Sequence, residues 1–373
     1  MEFTVNKHDI VAGLYKAQGV VDRRSTLNIL SHVLIESTSN TEVRFTCTDY
    51  DVVLTGCYPA EVTEPGRIAV GAKNLFEVVK ALPDEPIHIS RMENHWVELS
   101  CGSSRFKLAG LSAEDFPEQQ VPEGLEFVSV PKKLLLGMVD RTLFSVSHDE
   151  TRPSLNGVFL RVAPEEGELR MHMVSTDGHR LSKAEGLGGD AADLAKTEEV
   201  ILHHKAISEL KRSLEGPEEM TRLAFHRGNV FFSNDEVMLQ VRQLDESFPD
   251  YDKVIPKSNR INLKLSRTDL QAAVRRIATL TSSKTHIIRV DVVTGKLVLQ
   301  SNNPEAGEGR DELSVDYEGE DLTVGFNYRY MTDVLSVING SHITFSINDQ
   351  YSPGLITSEE DEGSLFVIMP MRI

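Results

Sequence analysis

Three stretches of this chain repeat one another, and that repetition limits the fold more than any single motif does. One half-repeat opens as a short alternating strand, passes into an amphipathic helix and returns as a hairpin. It ends at Thr48-Asp49-Tyr50-Asp51, Thr176-Asp177-Gly178-His179 and Asn302-Asn303-Pro304-Glu305, offset by 128 residues (49 to 177) and 126 (177 to 303). The other half begins Gly66-Arg67-Ile68-Ala69-Val70, Glu199-Val200-Ile201-Leu202 or Leu322-Thr323-Val324-Gly325 and closes on a helix. Spacings this long exceed those of solenoids and propellers, so each copy is a domain.

The 373 residues suit three domains of about 120 to 125 residues, each large enough to bury its own core without a staple. The boundaries fall at residues 1–125, 126–253 and 254–373. Asp115-Phe116-Pro117-Glu118 and Ser247-Phe248-Pro249-Asp250-Tyr251 mark the junctions, where proline halts strand pairing. Apolar residues at i, i+3, i+4 and i+7 make one helix stripe each. They are Leu75, Val78, Val79 and Leu82; Leu134, Leu135, Met138 and Val139; Ile207, Leu210 and Leu214; Leu270, Ala273, Val274 and Ile277; Met331, Val334, Leu335 and Ile338. Runs such as Val43-Arg44-Phe45-Thr46-Cys47 and Ile288-Arg289-Val290-Asp291-Val292 alternate with period two, the mark of half-buried antiparallel strands. The expected class is α+β, with two helices on antiparallel sheets in each of three tandem domains.

Cys47, Cys57 and Cys101 are odd in number and lack metal-site spacing, so they read as small buried residues in a reducing compartment. The amino terminus has no signal-peptide pattern, and no apolar run reaches membrane-spanning length. A cytoplasmic chain without membrane partners is expected. Gly186-Leu187-Gly188-Gly189-Asp190 matches no nucleotide fingerprint and reads as a flexible surface loop.

Charge is segregated. The chain has 39 Lys and Arg against 57 Asp and Glu, a net of −18, which alone argues against nucleic acid. The six helical windows, 7–18, 73–82, 132–143, 203–214, 266–277 and 327–338, hold fourteen basic and six acidic residues, a net of +8. The remainder therefore carries −26. Helices in an arc would present positive charge to phosphates, while an acidic exterior repels a second duplex. Neither stacking aromatics nor a helix-turn-helix marks those helices, so contact would be with the backbone and independent of sequence.

Several motifs together resemble the bacterial DNA polymerase III beta subunit family, the sliding clamps. They are Met1-Glu2-Phe3-Thr4-Val5, Thr26-Leu27-Asn28-Ile29-Leu30, Leu155-Asn156-Gly157, Thr176-Asp177-Gly178-His179-Arg180-Leu181, Phe248-Pro249-Asp250-Tyr251 and Val367-Ile368-Met369-Pro370-Met371-Arg372-Ile373. The resemblance runs from first to last residue. It implies a head-to-tail homodimer closing a six-domain ring around duplex DNA, acting as a non-catalytic processivity factor without a cofactor or metal. Partners implied are double-stranded DNA, a replicative polymerase, the clamp loader, repair polymerases and mismatch-repair proteins, which dock through short peptides. A peptide-binding hub that never encircles DNA is the alternative.

By the same resemblance, Arg24, Lys73, His148, Arg152 and Lys205 face DNA, joined on charge grounds by Lys132, Lys133, Arg275 and Arg276. The peptide cleft is matched by Leu155, Thr176, Gly178, His179, Arg180, Leu181, Pro249, Lys253, Val254, Asn327, Tyr330, Pro370, Met371 and Arg372. Lys253 stands where many relatives carry arginine, keeping the charge but losing the planar fork. The dimer contact is matched by Phe106 and Leu108 against Leu280, flanked by Arg105 and Lys107 facing Glu305, Glu308, Asp311 and Glu312. Thr279 occupies a position that is often apolar in the family. His204 stands where a basic residue is common and is expected to be largely neutral at pH 7.

Asp49 with Asp51, Asp177 with His179, and His148-Asp149-Glu150 have side chains suited to acid-base or metal chemistry. Their equivalence across repeats, Thr-Asp, Thr-Asp and Asn-Asn, is instead the pattern of a turn whose Asx side chain binds nearby backbone.

Overall fold

Each stripe in the sequence becomes a helix, and each alternating run becomes a strand, in the same order three times. A computed structural model describes residues 1–22, 25–119, 121–190, 194, 196–234, 236–282 and 284–373. The first repeat comprises β1 (Glu2–Val5), α1 (Lys7–Val20), β2 (His32–Ser39), β3 (Glu42–Thr48), β4 (Val52–Glu64), β5 (Arg67–Gly71), α2 (Ala72–Ala81), β6 (Ile87–Arg91), β7 (Trp96–Cys101) and β8 (Ser104–Leu111). The second comprises β9 (Val128–Pro131), α3 (Lys132–Thr142), β10 (Gly157–Glu165), β11 (Glu168–Thr176), β12 (Arg180–Asp190), β13 (Glu198–His203), α4 (His204–Ser213), β14 (Met220–His226), β15 (Asn229–Ser233) and β16 (Val237–Arg242). The third comprises β17 (Ile261–Ser266), α5 (Arg267–Ala278), β18 (Ile287–Val293), β19 (Lys296–Asn303), β20 (Gly307–Ser314), β21 (Leu322–Asn327), α6 (Tyr328–Val337), β22 (His342–Ile347), β23 (Gly354–Thr357) and β24 (Ser364–Ile368).

The stripes bury as their spacing dictates. Leu75, Val79, Leu135, Met138, Val139, Ile207, Leu210, Leu270, Val274, Met331 and Leu335 are all sealed from solvent. Each such side chain contributes roughly 1.5–3 kcal/mol over leaving it exposed. Three helices begin on side-chain caps: His203 Nδ1 accepts from the Lys205 N–H, Ser266 Oγ from Asp269, and Asn327 Oδ1 from Arg329. One core runs without a break through the first two repeats, and a second fills the third.

The glycine-rich stretch is not a loop. Gly186, Gly188 and Gly189 lie within β12, and a Cβ at Gly186 or Gly188 would stand 2.5 or 2.7 Å from a methyl of Leu134 on α3. The glycines let the helix settle directly on the strand, a reason that chain spacing alone does not reveal.

The repeated Thr/Asn-Asp/Asn pairs are turns, as their repetition predicts. Asp49 Oδ1 accepts the N–H groups of Asp51 and Val52, Asp177 Oδ1 those of His179 and Arg180, and Asn303 Oδ1 that of Glu305. These side chains close hairpins.

Strands join the repeats to one another. Twelve strands form one sheet in the order β1-β6-β7-β8-β5-β2-β3-β4-β16-β15-β14-β9, with the first and second repeats meeting at β4 and β16. Eight form another, β13-β10-β11-β12-β24-β23-β22-β17, in which β12 meets β24. Both meetings are antiparallel ladders of five rungs, Val52–Gly56 on Val237–Val241 and Arg180–Ala184 on Ser364–Ile368. The remaining sheet, β20-β19-β18-β21, belongs to the third repeat alone.

Candidate nucleic-acid and peptide interfaces

Helices follow the same joining rule one layer inward. Within the repeats α1 packs on α2, α3 on α4 and α5 on α6; across the junctions α1 packs on α4 and α3 on α6. The result is one continuous row, α2-α1-α4-α3-α6-α5. Each helix packs on strands of its own repeat.

The cations of that row divide into two classes. Lys73, Lys133 and Arg275 are exposed, with no ion pair or hydrogen bond from their side chains among the described residues. Arg329 on α6 and Lys80 on α2 are exposed as well, Lys80 lying over the Phe76 ring, while several others are engaged within the chain. Lys132, 11 % exposed, donates to the Gly216 carbonyl at 2.6 Å and meets Glu218 at 3.3 Å. Lys205 binds the Asp49 carboxylate and the Val20 carbonyl, tying α4 to the first repeat. Arg276 Nε meets Asp311 Oδ2 at 2.6 Å, and Lys211 meets Asp140 at 2.5 Å. Arg152 is exposed beside Asp149 at 3.7 Å, with Nη1 3.1 Å from where a Cβ on Gly178 would sit. Arg24 lies outside the described residues.

Three histidines gather where the first two repeats meet. The His148 and His204 rings stand 4.7 Å apart edge to face, and His203 and His204 4.3 Å. Burial and its two neighbours push His204 down to about 4, so this ring is uncharged at pH 7. Burial also lowers His203, against the pull of Asp51 and Asp49. Here α1 and α4 approach so closely that a Cβ on Gly19 would stand 1.8 Å from Arg212 and 1.9 Å from Glu209.

The second junction is held by two arginines. Arg141 grips Asp361 through Nε at 3.0 Å and Nη2 at 2.7 Å, and Asp361 also accepts the Asn339 N–H at 3.3 Å. Arg180 donates to Asp177 at 3.0 Å, Asp333 at 2.5 Å and the Phe144 carbonyl at 2.5 Å. Its guanidinium lies 4.5 Å from the Tyr330 ring centre and 5.2 Å from that of Phe144. At 12 % exposure it is a pin between repeats, with little left over for a ligand. Asn327 is likewise committed: it caps α6 and is buried.

Several of the other residues expected in the cleft lie at this junction. Leu181 is sealed under Phe248, Tyr251 and Ile255 with Val174 and Val367. Thr176, Gly178 and His179 form the turn above it, where Gly178 adopts φ +87°. The carboxyl-terminal tail crosses from that turn to β21: the Met369 N–H donates to the His179 carbonyl at 2.8 Å, and Met371 to Gly325 at 2.8 Å. This places Met369 beside the turn and Met371 beside β21, with Pro370 between them. Leu155 closes the short 3₁₀ turn that follows Arg152, and its carbonyl accepts the Ser147 N–H. Pro249 and Val254 are exposed on the linker, and Lys253 pairs with Asp250 at 2.9 Å.

Family models for the DNA polymerase III beta subunit match nearly all of the chain: its N-terminal domain at residues 1–120, its central domain at 129–250 and its C-terminal domain at 252–372. The chain belongs to the DNA polymerase III beta subunit family. The beta sliding clamp of Caulobacter vibrioides is 34% identical over 375 residues, covering 100% of both chains. A crystal structure of the C. crescentus beta sliding clamp superposes with a TM-score of 0.92 at 34% identity, covering 100% of each chain. The sliding clamp from Pseudomonas aeruginosa, solved bound to griselimycin, gives 0.91 at 34% identity, again with 100% coverage of each.

The helix row ends at α2 and α5, and beside each end a strand keeps an open edge among the described residues. Beside α2, β8 pairs with β5 only through Gly110 and Leu111, leaving Ser104 to Ala109 open on that side; beside α5, β20 is the edge strand of its sheet. Phe106 on β8 is 39 % exposed, flanked by the exposed Arg105 and Lys107, while Leu108 and Leu280 are half-buried. Glu305 and Glu308 are exposed at the β19–β20 turn.

Proposed function

We propose that two copies of this chain close head to tail into a ring that encircles duplex DNA, and that the outer cleft of the second junction tethers polymerases and other replication or repair proteins by short peptides. The observation that carries the reading is the joining rule. Twice within the chain, the last strand of one repeat's first half pairs with the last strand of the next repeat, β4 with β16 and β12 with β24. Twice, the first helix of one repeat packs on the second helix of the next, α1 on α4 and α3 on α6. Applied once more, the rule pairs β20 with β8, and α5 with α2, of another copy. Two layers thus give the same heterologous contact, and repeating it closes a ring if the rotation allows.

The rule also supplies a register. Gly309 stands on β20 where Leu54 and Ser182 stand on β4 and β12, and Phe106 stands on β8 where Leu239 and Phe366 stand on β16 and β24. Phe106 then faces Gly309, above which Ile277 and Leu280 lie 3.4 and 3.5 Å from an added Cβ. Lys107 faces Glu308. An aromatic ring over a glycine, with aliphatic side chains beneath, makes a compact apolar anchor.

Within the ring, Lys73, Lys133 and Arg275 meet phosphates, while the paired cations hold the wall together. Weak, salt-sensitive backbone contact permits sliding. Processivity then comes from enclosure, and tethering raises the polymerase's effective concentration at the primer end. The chain acts in the cytoplasm without catalysis of its own, its turn carboxylates being committed to backbone. Opening the ring requires a separate loader driven by ATP.

Charge reversal tests the contact. Lys107→Glu should shift the protein from dimer to monomer in sedimentation at low micromolar concentration, and Glu308→Lys in the same chain should restore the dimer. A dimer indifferent to both would sink the register. Deleting Met369 to Ile373 should abolish polymerase stimulation while leaving the dimer intact; stimulation that survives would count against the cleft.

A further inference from the structure

The two junctions within the chain are alike in their strands and unlike in their helices. Both ladders run five rungs, yet one apolar core spans the first two repeats while the third repeat fills a core of its own, reached from the second repeat by Phe144. The helix starts align the two layers. Both α4 and α6 begin one residue after an equivalent rung, His203 on Gly157 and Asn327 on Ile287, so Arg212 and Ser336 hold the same place. Counted from the first residues of α1 and α3, Tyr15 and Gly19 correspond to Asp140 and Phe144, just as the buried Ile10 and Leu14 correspond to the buried Leu135 and Val139.

At the first junction the space between the helices is filled. Arg212 lies 5.5 Å from the Tyr15 ring centre, meets Glu209 at 2.8 Å, and leaves no room for a Cβ on Gly19. At the second junction the equivalent side chains have withdrawn. The Ser336 hydroxyl turns back to the Asp333 carbonyl at 2.6 Å, and Asp140 is drawn to Lys211 on α4 at 2.5 Å. A cavity of about 510 Å³ opens between α3 and α6, lined by Gly137, Asp140, Phe144, Ser336, Val337 and Asn339 among others. Charge spans this gap, through Arg141 on Asp361 and Arg180 on Asp333. The opposite face of the β12–β24 ladder is sealed by Leu181, Val367 and Phe248.

We propose that the first two repeats form one rigid body and that the third swings against it about the β12–β24 ladder, α6 moving towards or away from α3 across the cavity. A close-packed core resists gradual deformation, so the continuous core of the first junction offers no slack. At the second junction the cavity supplies the room and the sealed ladder supplies the axis. Segments with few apolar contacts across them are those that open at least cost. Resting on the ring reading, this assigns the flexing that ring opening requires to the second junction of each copy and leaves the first unchanged.

Distances between spin labels test the hinge. The ketone of p-acetylphenylalanine, placed at the exposed Asn40, Glu168 and Thr294, carries the labels and leaves the three cysteines untouched. Pulsed electron paramagnetic resonance on full-length protein, diluted with unlabelled chain, compares the Asn40–Glu168 pair across the first junction with the Glu168–Thr294 pair across the second. The second distribution should be at least twice as wide as the first, and should shift when Lys107→Glu releases the monomer while the first stays fixed. Ser336→Arg, at an exposed position where folding is not at stake, copies Arg212 into the cavity and should narrow the second distribution to the width of the first. Two equally narrow distributions, a wider one at the first junction, or a width indifferent to Ser336→Arg overturns the hinge. Sedimentation of the same samples keeps the two ideas apart: absence of a dimer refutes the ring, and the widths still decide the hinge.

Discussion

Asp361 allows burial and distance to be weighed against each other. It is 5 % exposed, takes two hydrogen bonds from Arg141, itself 16 % exposed, and a third from the Asn339 N–H. Asp361→Ala leaves a largely buried guanidinium without its counter-charge and a backbone donor unanswered. Removing one partner of a buried pair costs about 3–5 kcal/mol. Because Arg141 keeps some contact with water, the low end applies, about 3 kcal/mol. For a domain of this size that lowers the melting transition of the third repeat by about 10 °C. The Lys211–Asp140 pair is shorter, 2.5 Å, but its side chains are 52 and 48 % exposed. Lys211→Ala should cost no more than about 0.5 kcal/mol. Differential scanning calorimetry and urea unfolding of the two variants decide the matter. If Asp361→Ala falls within about 0.5 kcal/mol of Lys211→Ala, burial is not what strengthens the junction. Replacing both partners with apolar residues, Arg141→Met with Asp361→Leu, should recover most of the loss, since no charge is then stranded.

Two further outcomes concern the helix row proposed to face DNA. In Lys73→Ala, Lys133→Ala or Arg275→Ala, the slope of log affinity for DNA against log salt should become shallower by about 0.9 for each phosphate no longer neutralised. It should stay unchanged in Lys132→Ala; fluorescence anisotropy on short duplexes measures both. The His204 ring, held down to about 4 against an ordinary 6.5, prefers to be neutral in the folded protein. Its contribution is therefore present above pH 6.5 and lost as pH falls from 6.5 towards 4, where the unfolded chain takes up the proton first. For this half-exposed ring the loss is about 1 kcal/mol after solvent screening, and His204→Asn should flatten that part of the stability profile.

The periodic features of the chain were legible from sequence because they are local. The six helices of the described residues stand within two residues of the expected windows, since stripes such as Leu270, Ala273, Val274 and Ile277 carry their own geometry. The Asx turns were legible through repetition, as three copies of one turn constrain each other. Partners distant in the chain were not. Nothing near Arg180 announces Asp333, 153 residues away, and nothing near Lys205 announces Asp49, 156 residues away. Residues matched to the cleft and the DNA-facing wall by resemblance therefore include pins that hold repeats together. Gly186 and Gly188 misled for the same reason: the methyls of Leu134 that demand them lie on another element.

Enclosure of DNA is tested most directly by topology. Protein loaded by its loader onto nicked circular DNA should remain bound through gel filtration in salt high enough to dissolve simple electrostatic complexes. It should fall away once the circle is cut by a restriction enzyme. Retention that is equal on circular and linear DNA, or absent from both, would contradict a closed ring.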